Sequence, residues 1–223
     1  MAKNQYMKPN YQYIIFDLDG TISNPIKGLK NGFRHALEKM NYGSIDESIL
    51  DSFIGPPLQD SIRKHFFEDE KRVWETVGHF REYYGEIGLF ENDLYEGMPE
   101  LLRSLKDAGR ELHVATYKPQ LYAERILDHF QLRDLFTSIH GVAIDKKDVT
   151  KDVLIGRILE KAVRHQKHEV VMIGDTVLDV SAGKIQGINT IGLTYGFGRA
   201  KDIEYATPTY IIDSVAGLRS FLL

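Results

Sequence analysis

Short runs of β-branched and aromatic residues alternate along this chain with longer stretches whose apolar positions recur at helical spacing. That alternation is expected of parallel strands joined by crossover helices. Strands are predicted at residues 13–16, 112–115, 170–173, 190–193 and 210–212, with a weaker one at 138–140. Pro99 opens a helix that Gly109 closes, Pro119 opens a second that runs to about Phe130, and residues 149–165 carry a third apolar stripe. A right-handed parallel sheet with flanking helices follows, with its ligand crevice at the carboxyl ends of the strands.

Between residue 25 and about residue 92 this rhythm breaks. Helical patterns rich in aromatic residues occupy 29–40, 45–53, 58–67 and 71–85, with Gly55-Pro56-Pro57 as an interior turn and no strand among them. The predicted division is therefore a core built from residues 1–23 and 94–223, interrupted by an all-helical insertion at 24–93. Ser23-Asn24-Pro25 is the joint on entry, and Glu91-Asn92-Asp93 precedes the return at Tyr95-Glu96-Gly97. The aromatic side chains of the insertion, among them Phe53, Phe66, Phe67, Trp74, Phe80, Tyr83 and Tyr84, recur at near-helical spacing and are expected to pack as core.

Composition narrows the function. A length of 223 residues suits one core with an insertion, and 43% apolar residues are enough to bury it. Lys and Arg number 28 against 32 Asp and Glu, for a net charge of −4, so no global positive field recruits nucleic acid. The absence of cysteine excludes disulfide scaffolds, cysteine–zinc sites and thiol catalysis. No apolar run approaches the roughly 20 residues of a membrane span. The N-terminal Met1-Ala2-Lys3-Asn4-Gln5 has no apolar signal core, which makes a soluble, cytoplasmic protein the expectation. The eight histidines lack the His-Glu-x-x-His spacing of a zinc site. Gly196 and Gly198 do not complete a dinucleotide fingerprint and read as a loop flanking the site.

The sharpest chemical signal is Asp17-Leu18-Asp19-Gly20-Thr21, directly after the first strand. Residues i and i+2 of an extended chain point the same way, so Asp17 and Asp19 can both face the crevice while Gly20 permits a sharp exit. Two carboxylates this close repel each other unless a cation or a proton separates them, and magnesium is the expected cation. Gly174-Asp175 through Asp179 follows a second buried strand in the same manner. Parallel strands open on one edge, so the two acidic pairs are expected to meet there as a hard oxygen-ligand site. Asp179 is open to a second role, that of starting the next helix.

Thr116 ends the strand at 112–115, and with the free amides of the helix after Pro119 it forms a cradle for an anion, with phosphate the natural candidate. The same position suits a simple helix cap. Lys151 lies at the start of the third helix, where a cation opposes the helix dipole and requires anionic compensation. Asp148 and Asp152 could supply it, and Lys146 and Lys147 are rival cations.

Together these segments resemble the haloacid dehalogenase superfamily of aspartate-nucleophile phosphohydrolases. The matching pieces are Asp17-Leu18-Asp19-Gly20-Thr21, Val114-Ala115-Thr116-Tyr117-Lys118-Pro119, Lys151, and Gly174-Asp175 through Asp179, in the family's order over almost the whole chain. The resemblance implies an α/β, Rossmann-like core with an inserted helical cap. Phe53-Ile54-Gly55-Pro56-Pro57-Leu58, Tyr195-Gly196-Phe197-Gly198 and Tyr210-Ile211-Ile212-Asp213-Ser214 resemble the phosphoglycolate phosphatase-like branch, some of whose relatives are 5′-nucleotidases.

The implied mechanism has Asp17 as nucleophile and Asp19 as general acid and then general base. Mg2+ would be held by Asp17, the backbone carbonyl of Asp19 and Asp175. Thr116, Lys118 and Lys151 would bind the phosphoryl group, and Asp179 would orient the metal or Lys151 from behind. The implied substrate is a small phosphorylated metabolite, phosphoglycolate-like or a nucleoside 5′-monophosphate, with no nucleic-acid or membrane partner. A dehalogenase has no leaving alkoxide to protonate, so Asp19 argues for phosphate chemistry. A sugar phosphomutase and a non-catalytic phosphate- or metal-binding module are the alternatives.

Two departures from the family pattern stand out. Tyr117 replaces the usual small residue, where it could narrow the entrance, stack on a substrate ring or merely pack, and Lys151 lacks the usual lysine-proline pair. Lys27, Lys30 and Arg34 of the insertion could meet a carboxylate or a second phosphate of the substrate, or form a solvated face. Oligomeric state is not legible in the sequence.

Overall fold

The computed structural model describes residues 10–43, 46–51, 58–144, 149–162 and 167–223. Its first strand, β1 (Tyr13–Phe16), is buried along Ile14, Ile15 and Phe16. A sequence this apolar on both faces is stable only at the centre of a sheet. The chain then passes through a two-residue strand, β2 (Ser23–Asn24), into four helices: α1 (Ile26–Lys39), α2 (Glu47–Asp51), α3 (Leu58–His65) and α4 (Glu70–Tyr83). A π-helical turn at Tyr84–Gly88 extends α4, and β3 (Asp93–Leu94) pairs with β2.

From there strands and helices alternate: α5 (Met98–Asp107), β4 (Glu111–Pro119), α6 (Gln120–His129), β5 (Phe136–Val142), α7 (Lys151–Ala162), β6 (Val170–Gly174), α8 (Val177–Gln186), β7 (Asn189–Leu193), α9 (Ala200–Tyr205), β8 (Tyr210–Ile212) and α10 (Val215–Leu222). The six long strands form one parallel sheet in the order β5-β4-β1-β6-β7-β8. This is the predicted α/β, Rossmann-like arrangement. The chain leaves β1 toward β4 on one side and later returns to β6 on the other, so the strand order reverses at β1. A reversal of this kind opens a crevice at the carboxyl ends of the strands on either side of it.

Register decides what lies in that crevice. Phe16 is level with Val114 of β4 and with Ile173 of β6, and the Asp17 amide donates to the Ile173 carbonyl at 2.9 Å. The residues that follow each of these three positions therefore emerge on one edge. Beneath them Ile15, Ala115, Leu154, Ile155, Ile158, Val170 and Met172 pack into one apolar cluster between the sheet and α7. Each large side chain there contributes about 1.5–3 kcal/mol by leaving water, so the edge stands on buried core.

Several elements depart from the sequence-based expectation. The strand predicted at 112–115 runs on to Pro119, because Pro119 is level with Val142 of β5. Pro119 consequently caps α6, which begins at Gln120. The weak strand at 138–140 is a full edge strand held by β4. The insertion was expected to hold no strand, yet its two joints pair as β2 and β3, a contact that depends on residues far apart in the chain. Gly55-Pro56-Pro57, Phe53, Lys146, Lys147 and Asp148 lie outside the described residues.

The chain divides into two compact units, one of Met1–Ser23 and Leu94–Leu223 and one of Asn24–Asp93. Within the helical unit the ring of Phe33 on α1 meets Phe80 on α4 at 4.9 Å between centroids, and Phe80 stacks on Tyr84 at 5.2 Å. Phe67, Phe80 and Tyr84 are buried as expected, whereas Trp74 is half-exposed. Arg34 is held by Glu47 at 2.5 Å and by the Asn31 side chain at 2.6 Å, with Lys30 3.9 Å from Glu47. Among the described residues, no helix is long and apolar enough to cross a membrane.

Candidate active site

Asp17 is the first residue past β1 and is buried, as are Asp175 and Asp179 past β6. Carboxylate oxygens of these three residues all lie within 4.8 Å of one another. Lys151, at the first position of α7, reaches into this group. Its Nζ is 2.8 Å from Asp17 Oδ2 and donates to Asp179 Oδ1. Burial alone would disfavour the ammonium form, but the charges of Asp17 and Asp179 hold the lysine above its ordinary pKa. The anionic compensation that a lysine at a helix N-terminus requires thus comes from the ends of β1 and β6.

Asp179 carries both roles left open by the sequence. Its Oδ2 accepts from the Thr176 amide at 2.9 Å and from the Thr176 hydroxyl at 2.6 Å, which closes the first turn of α8, while its Oδ1 takes Lys151. Among the described residues, no ammonium group pairs with Asp175. Its Oδ1 accepts from the Thr21 hydroxyl at 3.1 Å and its Oδ2 from the Phe197 amide at 2.7 Å. Burial first, then the charges of Asp17 and Asp179, push its pKa up to about 7 despite those two donors. The backbone is drawn in tightly around it. A Cβ on Gly20, whose φ is +82°, would stand 2.2 Å from Asp175 Oδ2, so no other residue fits that turn without displacing the carboxylate. Gly196 packs equally close, consistent with its expected place in a loop beside the site.

Asp19 lies slightly apart from the three. Its Oδ2 accepts from Lys118 Nζ at 2.5 Å, and its Oδ1 is buried without a hydrogen-bond partner among the described residues. Burial raises its pKa and Lys118 opposes that rise. Thr116 is buried on the same edge, where its hydroxyl accepts from the Lys118 amide at 3.2 Å. The pair of Lys118 with Asp19 was not expected, because it depends on two chain ends meeting across the β1–β4 boundary. The Thr21 and Phe197 contacts were equally illegible, one being an ordinary hydroxyl and the other a backbone amide.

Charge bookkeeping indicates what this arrangement can hold. Among the described residues, four carboxyl groups face two ammonium groups here, so the fully ionised set carries two uncompensated negative charges. A single divalent cation with hard oxygen preference matches both the charge and the donor set. The buried carboxylates of Asp17, Asp175 and Asp179 could therefore bind a metal.

Comparison with known proteins is consistent with this chemistry. The family model described as haloacid dehalogenase-like hydrolase matches residues 14–193. A 5′-nucleotidase from Pseudomonas aeruginosa is 36% identical over 212 residues, covering 95% of this chain and 96% of its own. A phosphoglycolate phosphatase from Haemophilus influenzae is 29% identical over 229 residues, covering 97% of this chain and all of its own. The crystal structure of a predicted phosphatase from Clostridium acetobutylicum superposes with a TM-score of 0.81 at 36% identity, over 95% of this chain and 97% of that one.

Proposed function

The chain belongs to the haloacid dehalogenase-like hydrolase family and is a phosphatase, and on that premise we propose a magnesium-dependent phosphomonoesterase that works through an aspartyl-phosphate on Asp17. The observation that carries this reading is the crowding of Asp17, Asp175 and Asp179 around Lys151 at adjacent strand ends. Phosphoryl transfer needs mainly positioning and charge compensation, and this set supplies both.

In this reading an oxygen of Asp17 attacks phosphorus and the ester oxygen leaves with a proton from Asp19. Burial raises the pKa of the Asp19 carboxyl while Lys118 opposes the rise, and a raised pKa is the direction a general acid requires. Asp19 then takes a proton from the water that cleaves the aspartyl-phosphate. Lys151 and Thr116 hold the phosphoryl oxygens, and Asp179 fixes the Lys151 amine. Lys118 keeps the Asp19 carboxylate directed toward the site, so its bond is to the acid–base residue in addition to any contact with substrate. Asp17, Asp175 and the Asp19 backbone carbonyl would hold Mg2+, which supplies charge neutralisation for the phosphoryl oxygens. The substrate is a small phosphorylated metabolite such as phosphoglycolate or a nucleoside 5′-monophosphate, and the helical unit at 24–93 serves as the cap that selects it.

The decisive experiment measures release of free phosphate from a panel of phosphoglycolate, nucleoside 5′-monophosphates and hexose phosphates, with and without Mg2+. Asp17→Asn should abolish turnover with the circular dichroism spectrum unchanged. Near-wild-type activity in that variant rules out the assigned nucleophile, and isomerised sugar phosphate in place of free phosphate identifies a mutase instead.

A further inference from the structure

Lys151 is buried at the very start of α7, a position where a helix offers unpaired N–H groups and repels cations. The partner of its backbone comes from another element. The Lys151 amide donates to the phenol oxygen of Tyr117 on β4 at 3.0 Å. The centroid of the Tyr117 ring also lies 5.2 Å from Lys151 Nζ, within the range in which a ring face attracts an ammonium. One side chain therefore engages both ends of the same lysine. Tyr117 is itself partly exposed over a lysine that solvent does not reach. Thr116 and Lys118, its neighbours on β4, are both buried, so Tyr117 occupies the outward position of that strand end.

We propose that Tyr117 is a positioning residue for Lys151: its phenol oxygen anchors the first amide of α7 and its ring covers the amine, which together hold the ammonium on the phosphoryl site. This rests on the role given above to Lys151. A serine or asparagine at this position is too short to span the same gap from β4 to α7 and has no ring to face the amine. The tyrosine thus acts as a strut between β4 and α7.

The test uses inorganic phosphate as the probe, by calorimetry in the presence of Mg2+, alongside steady-state hydrolysis of an aryl phosphate. Tyr117→Phe keeps the ring and removes the bond to the amide. It should weaken phosphate binding and lower kcat by about 3- to 10-fold, the worth of one hydrogen bond. Tyr117→Leu removes both contacts and should cost about 10- to 100-fold. In a Lys151→Met background the Tyr117→Phe change should alter phosphate affinity by less than about twofold, since the amine it positions is gone. An equal factor in both backgrounds, or no loss in the wild-type background, overturns the proposal by reducing Tyr117 to a structural cap. Unchanged phosphate affinity and turnover in Lys151→Met alone overturns the underlying role of the lysine, a distinct result. If Lys151→Met does not accumulate as folded protein, Tyr117→Phe alone decides: a lowered kcat with thermal stability unchanged supports positioning, and lowered thermal stability with kcat unchanged refutes it.

Discussion

Replacement of Asp175 by Asn should make the metal-free protein more stable while it destroys the site. In the folded chain the Asp175 pKa is pushed up to about 7 from an ordinary 3.8, with burial the largest cause. A raised folded pKa for a carboxyl means that its contribution is fully favourable below the unfolded value and is lost as pH rises through the folded one. Between about pH 4 and pH 7 the ionised group therefore comes to cost the fold roughly 4 kcal/mol, at about 1.4 kcal/mol per pH unit. Asparagine escapes that cost because it never ionises. It presents one acceptor where the carboxylate presents two, so one of the bonds to Thr21 and Phe197 must be rebuilt, at about 1–2 kcal/mol. The charge effect is larger, and a net gain of about 2 kcal/mol remains above pH 7.

Urea denaturation in a chelator at pH 8 and at pH 5 measures this directly. The variant should exceed wild type at pH 8, and the advantage should shrink by pH 5, where Asp175 in the wild-type fold is already protonated. Addition of Mg2+ should stabilise the wild type and leave the variant nearly unmoved, and phosphatase activity should be lost. A variant less stable than wild type in chelator at pH 8, or equally favoured at both pH values, would refute the raised pKa of Asp175 that burial and its two acidic neighbours impose.

Two further outcomes follow from the same geometry. His113 is buried on β4 with Nδ1 2.9 Å from the Ser138 hydroxyl, and burial, with His140 and Lys106, depresses its pKa to about 4. A base with a depressed folded pKa supports stability above its unfolded value near 6.5 and loses it as pH falls toward 4. The wild type should therefore weaken by about 2 kcal/mol between pH 7 and pH 5 from this residue, and a His113→Leu variant that keeps the full acid slope in denaturant melts would contradict the assignment. Gly20→Ala places a methyl 2.2 Å from Asp175 Oδ2 at a φ of +82°. The strain and overpacking should cost about 2–4 kcal/mol and most of the turnover, and a variant with wild-type kcat would show that the Asp175 carboxylate tolerates displacement.

The apolar runs at residues 13–16 and 170–173 were enough to place β1 and β6, because central strands buried on both faces must be apolar throughout. The acidic pairs at 17–19 and 175–179 were legible for a related reason: clustered carboxylates at strand ends carry a repulsion that only a functional site has cause to retain. The extension of β4 to Pro119, the pairing of β2 with β3, and the short helices α9 and α10 were not legible, since each is stabilised by partners more distant than any local pattern reports. At the site the local code named Asp17, Asp19, Thr116, Lys118, Lys151, Asp175 and Asp179 but not their pairing. Tertiary structure alone decided that Lys151 bridges Asp17 and Asp179, that Lys118 takes Asp19, and that Tyr117 and the Phe197 amide close the ring around them. A side chain's chemistry is written in its residue type, whereas its partner depends on which strand ends the sheet brings level, and that register exists only in the folded chain.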